Sequence, residues 1–112
     1  MNRDTQKYIK AIAPEYRPLF DRLHGLVLKV HPEAEVGFSY KMPKYSIGKR
    51  RIFLAVWQHG VSIYGVGPGA DGGFIARHPD LIVSRGTIRL RPKDAAAIRD
   101  GEFREMFRAA LA

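Results

Sequence analysis

The spacing of the apolar residues changes twice along this chain, and that change constrains the fold more than any other feature. Tyr16, Phe20, Leu23, Val27 and Val30 recur three or four residues apart, which is typical of an amphipathic helix. From residue 36 apolar and polar residues alternate, which predicts strands with one buried face. The helical spacing returns after residue 93. Helices at both ends of the chain, with antiparallel strands between them, predict one α+β domain over residues 1–112.

Two helices are predicted before the strands and one after them. The first covers residues 5–12, with Asp4 or Thr5 as its cap. The second has Pro14 in its first turn and ends at His31, because the residue before a proline disfavours helix. The C-terminal helix begins near residue 94 and has a break near residues 100–101. Its predicted buried residues are Phe103, Met106, Phe107 and Leu111.

Four or five strands are predicted between these helices, at 36–41, 45–47, 52–57, 61–65 and 87–91. Residues 48–50 form a turn, residues 65–73 a glycine-rich loop, and residues 74–78 a short helix. Met42 has the same parity as Phe38 and Tyr40, so we expect it in the core. Pro43 either protects a sheet edge or ends a strand.

Two terminal helices cannot cover both faces of such a sheet, so we expect them on one face. The predicted core includes Phe20, Leu23, Val27, Leu54, Phe103 and Phe107. The other face then collects the polar parity of the strands, namely Ser39, Lys41, Ser62, Tyr64, Thr87, Arg89 and Arg91. If Leu54 faces the helices, Phe53 and Trp57 join that outer face. The pattern therefore predicts a platform of aromatic rings among cations.

The net charge of +8 lies almost entirely in two segments. Residues 36–70 hold five bases and no acid, and residues 81–93 hold four bases and no acid. Both segments contain predicted strands, so the cations fall beside the aromatic residues. Such a surface suits a polyanion or an acidic protein, with Lys41, Trp57, Tyr64, Arg89 and Arg91 as the candidate binding residues. A general solvated cationic surface is the alternative reading.

Several chemistries are poorly supported. The chain has no cysteine, which excludes disulfides, thiol catalysis and cysteine-ligated clusters. No nucleophile elbow, dinucleotide-binding glycine motif or paired-histidine spacing is present, so we expect a non-catalytic binding domain. The longest apolar run, Ile52–Trp57, is too short to span a bilayer, and the N-terminus lacks an apolar signal region. We therefore expect a cytoplasmic protein with no membrane contact, as a monomer or weak dimer.

One stretch carries a family resemblance. The motif Tyr40-Lys41-Met42-Pro43-Lys44-Tyr45 is followed by a Gly-Lys-Arg turn, an apolar strand ending in Trp57, and Gly86-Thr87-Ile88-Arg89. This order resembles the YdhG-like bacterial family, whose fold is similar to frataxin, with a twisted antiparallel sheet and helices on one side. The resemblance marks Tyr40, Met42, Pro43 and Tyr45 as motif residues. It implies an iron-chaperone-like role, with iron as the ligand.

The residues themselves offer one weak metal patch. Asp21 and His24 lie three apart on the second predicted helix, and His31 lies seven residues further on. A solvated helix face explains the same residues, and we favour that interpretation. Two classes of function remain open. One is an accessory protein in iron handling, and the other is a module that binds single-stranded nucleic acid or an acidic protein.

Overall fold

The computed structural model describes residues 1–112, and its elements follow the change of spacing along the chain. It contains α1 (Arg3–Lys10), α2 (Arg17–Val30), β1 (Glu35–Ser39), β2 (Met42–Ile47), β3 (Arg50–Trp57), β4 (Gly60–Tyr64), α3 (Phe74–Arg77), β5 (Ile82–Ser84), β6 (Thr87–Leu90), α4 (Pro92–Ala96) and α5 (Asp100–Ala110). A single turn of 3-10 helix, Pro79–Leu81, precedes β5. The predicted α+β class is confirmed.

The six strands form one open antiparallel sheet in the order β1-β2-β3-β4-β6-β5. The prediction of four or five strands is wrong by one, because β5 was missed. This strand has three residues and a register irregularity against β6, so it is too short to show alternation.

The first two helices begin at different residues from those predicted. The cap of α1 is Asn2, whose Oδ1 accepts a hydrogen bond from the Thr5 amide at 2.8 Å. Neither Asp4 nor Thr5 is the cap, and α1 ends at Lys10. Helix α2 begins at Arg17 rather than near Pro14, with Pro18 in its first turn, where a missing amide proton costs no helical bond.

A single cluster of 22 buried apolar residues joins the helices to one face of the sheet. The strands contribute Tyr45, Ile52, Leu54, Val61, Ile63, Ile88 and Leu90, which alternate with residues of the other face. The six residues predicted for the core are fully buried. The buried side chains of α2 and α5 pack on the same face of the sheet, as predicted for the terminal helices.

The β1–β2 hairpin differs most from the prediction. Tyr40 and Lys41 form a two-residue turn instead of continuing a strand, and Ser39 pairs with Met42. That turn reverses the parity expected for Met42, which lies on the face away from the helices. The placement of Met42 in the core is therefore wrong.

Pro43 lies where β2 separates from β3. The pairing of these strands runs from Ile47↔Arg50 to Lys44↔Phe53 and stops there, so the missing amide proton of Pro43 leaves no gap in it. Beyond that point the Val56 amide donates instead to the Tyr8 hydroxyl, at 2.8 Å. Helix α1 thus satisfies a group that a longer β2 would have paired.

The C-terminal region contains two helices rather than one broken helix. The break falls at residues 97–99, because Gly101 lies inside α5. β6 ends at Leu90, and Arg91 becomes the residue that caps α4. Gly60 lets β4 approach the end of β6 closely, since a Cβ there would lie 1.9 Å from the Leu90 carbonyl oxygen. This approach brings β6 side chains within reach of Trp57, the partner of Gly60 on β3.

Candidate binding surface on the open sheet face

The face of the sheet opposite the helices, here the outer face, has no helix over it. The buried apolar side chains of all five helices belong to the core cluster on the other side. Strand register assigns fifteen residues to the outer face: Glu35, Gly37, Ser39, Met42, Lys44, Ser46, Arg51, Phe53, Ala55, Trp57, Gly60, Ser62, Tyr64, Thr87 and Arg89. Any ligand that reaches the sheet directly meets these residues.

The Trp57 and Arg89 side chains contact each other over strand β4. The Arg89 guanidinium carbon lies 4.9 Å from the centre of the indole ring, within the range of a cation–π contact. Trp57 is on β3 and Arg89 on β6, so the two side chains come together over β4, which separates those strands. His59 lies edge-on to the indole, with ring centres 5.1 Å apart.

Two polar atoms beneath this contact lack a partner. Ser62 lies on β4 between Ala55 and Arg89 and is fully buried, although it belongs to the outer face. Its hydroxyl and the Trp57 Nε1 make no hydrogen bond. Buried polar groups are normally paired, because leaving one unpaired costs roughly 1–3 kcal/mol. The Ser62 hydroxyl and the Trp57 N–H, below the Arg89 side chain, can therefore each still form a hydrogen bond.

A second aromatic group lies on the same face, nearer the β1–β2 turn. Phe53 is opposite Tyr64 on β4 and opposite Lys44 on β2. The Arg51 guanidinium lies 6.0 Å from the Phe53 ring centre, and the Tyr40 ring meets Phe53 edge to face at 5.8 Å. The outer face thus alternates aromatic rings and cations across three strands.

The cations at this face have no acidic partner. The chain's ion pairs use the guanidinium groups of Arg17, Arg22, Arg77, Arg91 and Arg108, none of which lies on the outer face. Lys44, Arg51 and Arg89 make none. The only acidic residue in any strand is Glu35, at the outer edge of the sheet. This face therefore carries three cations that form no ion pair, against one carboxylate.

The structure brings three of the five predicted binding residues together on this face. Trp57, Tyr64 and Arg89 lie there by strand register. Lys41 lies in the turn beyond β1 rather than on a strand. Arg91 lies past the end of β6, where its guanidinium pairs with Asp94 at 3.2 Å and its amide donates to the same carboxylate. Arg91 therefore lies outside the strands, with its guanidinium engaged by Asp94.

Sequence reasoning missed Lys44 and Arg51 as members of the surface. The predicted strand 36–41 includes the Tyr40-Lys41 turn, so parity counted forward from it puts Met42 on the wrong face. Counting from Ile52 would have found both residues, because Ile52 is apolar and Arg51 and Phe53 flank it.

The four motif residues have separate positions. Tyr45 is fully buried in the core, Pro43 marks the end of the β2–β3 pairing, and Met42 lies half-buried on the outer face. Tyr40 is 72% exposed at the turn. Tyr45 and Pro43 therefore serve the fold, while Tyr40 faces solvent.

The three weak metal candidates do not form a site. Asp21 pairs with Arg17 on the surface of α2. His24 Nδ1 lies 2.6 Å from the Tyr45 hydroxyl, and the buried His31 bonds through Nε2 to the Phe107 carbonyl oxygen at 3.0 Å. No group of three or more histidine and acidic side chains in the chain is arranged to hold a metal ion.

We expect purified protein titrated with ferrous iron under anaerobic conditions to show no saturable one-to-one binding in calorimetry. The reason is that Fe²⁺ needs several converging oxygen or imidazole ligands, and the candidate side chains are engaged apart from one another. One tight, saturable site that weakens in Asp21→Asn would contradict this expectation and would restore the iron role that the resemblance implies.

His24 and Tyr45 form a neutral pair that predicts a pH effect on stability. Burial lowers the pKa of His24, although the Asp21 carboxylate acts in the opposite sense. Burial likewise raises the pKa of Tyr45, so its hydroxyl keeps its proton and shares a hydrogen bond with His24 Nδ1. The unfolded chain then binds a proton at His24 near the usual pKa of 6.5, whereas the folded chain does not. Folding is therefore weakened as pH falls below that value.

We expect the free energy of unfolding to fall less in His24→Gln than in the native chain between about pH 7.5 and about pH 5.5. Urea denaturation at both pH values measures this difference, and Gln can still accept from the Tyr45 hydroxyl. His59→Gln is the matched control, because it makes the same substitution at an exposed position. The same pH dependence in His24→Gln as in the native chain would show that His24 is not responsible.

No helix of the chain is both long and apolar enough to cross a membrane. Comparison of the chain with protein-family models, with curated proteins and with solved structures finds no match in any of the three.

Proposed function

We propose that this chain is a small non-catalytic binding domain whose outer face binds single-stranded nucleic acid. The observation that carries the proposal is the group of unpaired cations, Lys44, Arg51 and Arg89, set around aromatic rings on a sheet face that no helix covers. Lys41 in the adjoining turn adds a fourth cation.

The charge favours a polyanion over an uncharged ligand. Like charges on one face repel each other, and an anionic partner relieves that repulsion. Phosphate groups spaced along a chain suit cations distributed over several strands, and their binding releases condensed counterions. The arginines elsewhere in the chain that have acidic partners form a different class of surface.

The rings favour unpaired bases over duplex. A shallow sheet face offers planar groups for stacking, whereas reading a duplex groove needs a projecting helix or ribbon. The half-buried Tyr64 and Trp57 provide rings, and the Arg89 guanidinium on Trp57 provides a planar cation. Each stacked base contributes roughly 1–3 kcal/mol, largely independent of sequence.

The unpaired polar atoms below Arg89 add a way to hold a base. A phosphate that draws the guanidinium away from Trp57 would open the indole ring, its N–H and the Ser62 hydroxyl to the ligand. A base carries both donors and acceptors on its edges, so it can pair with these two groups. The ligand would thus supply the partners that the folded chain lacks.

Fluorescence anisotropy with a labelled oligothymidylate at low salt tests the proposal. We expect binding to the single strand, weaker binding to a duplex of equal length, and about a tenfold or greater loss of affinity in Arg89→Ala, which removes both charge and stacking. Arg99→Ala is the matched control. It removes the same charge at the start of α5, away from the outer face, and should change affinity by no more than about twofold.

Two results would overturn the proposal. One is the absence of oligonucleotide binding at low salt, and a chain that instead binds polyglutamate through Arg89 would have an acidic protein as its partner. The other is an equal loss of affinity in Arg89→Ala and Arg99→Ala, which would mean that net charge alone attracts the strand.

A further inference from the structure

The turn between β1 and β2 has an unfavourable pair of residues for its shape. Tyr40 and Lys41 have φ values of 52° and 61°, and they are the only residues other than glycine with positive φ. Positive φ at both central residues is the geometry of a type I′ hairpin turn, for which Asn-Gly is strongly preferred. A Cβ disfavours this conformation, and an aromatic side chain gives no compensating local hydrogen bond.

The backbone geometry of the turn does not require these two side chains, although the Tyr40 ring packs on Phe53. Tyr40 is the most exposed large apolar residue of the chain, at 72%, and its hydroxyl makes no hydrogen bond. Lys41 is also exposed and forms no ion pair. The hairpin register depends on two turn residues, not on their identity. An Asn-Gly pair would adopt the backbone conformation of this turn at a lower energy.

The turn places Tyr40 at the end of the outer face. Its ring meets Phe53 edge to face, with an angle of 67° between the planes, and the high exposure leaves much of the ring open to solvent. The Trp57 ring differs, because the Arg89 guanidinium already lies over it. Tyr40 is therefore the most exposed aromatic ring of this surface, and no cation lies over it.

We propose that the strained turn is a base-stacking element, in which Tyr40 stacks on an unpaired base and Lys41 contacts the adjoining phosphate. This inference rests on the proposed function. It names the turn as a part of the binding surface that contacts a base directly. Backbone strain of this kind tends to persist where a functional side chain needs an exact position. The ligand recognised at this point is a single strand with an accessible base, not the phosphate chain alone.

The double variant Tyr40→Asn/Lys41→Gly tests the proposal, because it gives the turn its preferred residues and removes the proposed contacts. We expect its melting temperature to rise by a few degrees, on the order of 5 °C, from relief of the strain. We also expect its affinity for oligothymidylate to fall by about tenfold or more. Tyr40→Phe keeps the ring and should bind within about twofold of the native chain.

An oligonucleotide of the same length with abasic sites separates stacking from phosphate contact. The native chain should bind it more weakly than oligothymidylate, and the double variant should show a smaller difference between the two. A double variant that binds oligothymidylate like the native chain would overturn the role of the turn. If the double variant binds like the native chain while Arg89→Ala weakens binding, the proposed function stands and only the role of the turn fails. If the native chain does not bind at all, both proposals fail.

Discussion

Replacing Phe20 by Ala is expected to lower the free energy of unfolding by about 3–5 kcal/mol, a large part of the stability of a domain this size. Phe20 is fully buried on α2. Its ring lies 6.3 Å from the Tyr8 ring and stacks beside His24 at 6.0 Å. Truncation would leave a cavity where α1, α2 and the sheet meet, and neighbours this closely packed cannot fully collapse into it.

Urea denaturation followed by circular dichroism measures this loss. Phe38→Ala is the matched control, because it removes the same atoms from a half-buried position on the edge strand β1. Its cost should be clearly smaller. Equal losses in the two variants would mean that the centre of the core is not where α2 meets the sheet.

Salt should weaken binding to oligothymidylate by about fiftyfold when its concentration rises fourfold. Lys41, Lys44, Arg51 and Arg89 can contact about four phosphates, and each contact on a single strand contributes about −0.7 to the slope of log affinity against log salt. The expected slope is therefore near −3. Anisotropy titrations at several salt concentrations measure it.

The variants should divide this slope between charge and stacking. Arg51→Ala should make it shallower by somewhat under one unit, because one released counterion is lost. Trp57→Ala should reduce affinity by roughly 1–3 kcal/mol and leave the slope unchanged, because stacking on the indole releases no ions. A flat salt response in the native chain would show that phosphate contacts do not contribute to binding.

The sequence predicted those parts of the fold that depend on the spacing of apolar residues. Once Leu54 is taken as a core residue, the period of two in β3 puts Trp57 on the opposite face, and the structure agrees. The strand β5 escaped this reasoning, since three residues do not establish a period.

The candidate surface could be predicted only in part, for two physical reasons. The Tyr40-Lys41 turn lacks glycine and asparagine, so its residue types gave no sign of positive φ. Contacts between segments far apart in the sequence could not be predicted either. The Tyr45 hydroxyl and the Phe107 carbonyl, which engage His24 and His31, come from elements that helical spacing cannot reveal. Arg89 and Trp57 were recoverable because each lies on a regular strand.

The four hairpins of the sheet all close through two residues, and this affects the order in which the sheet can assemble. Pairs β1–β2, β2–β3, β3–β4 and β5–β6 join neighbours along the chain, so their loop-closure entropy is small. The pairing of Tyr64 with Thr87 instead encloses the whole segment from Gly65 to Gly86. By the logarithmic dependence on loop length, that closure costs about 2 kcal/mol more than a two-residue loop. The entropic barrier to completing the sheet is therefore concentrated in one event, the joining of β6 to β4, which also brings Arg89 to Trp57.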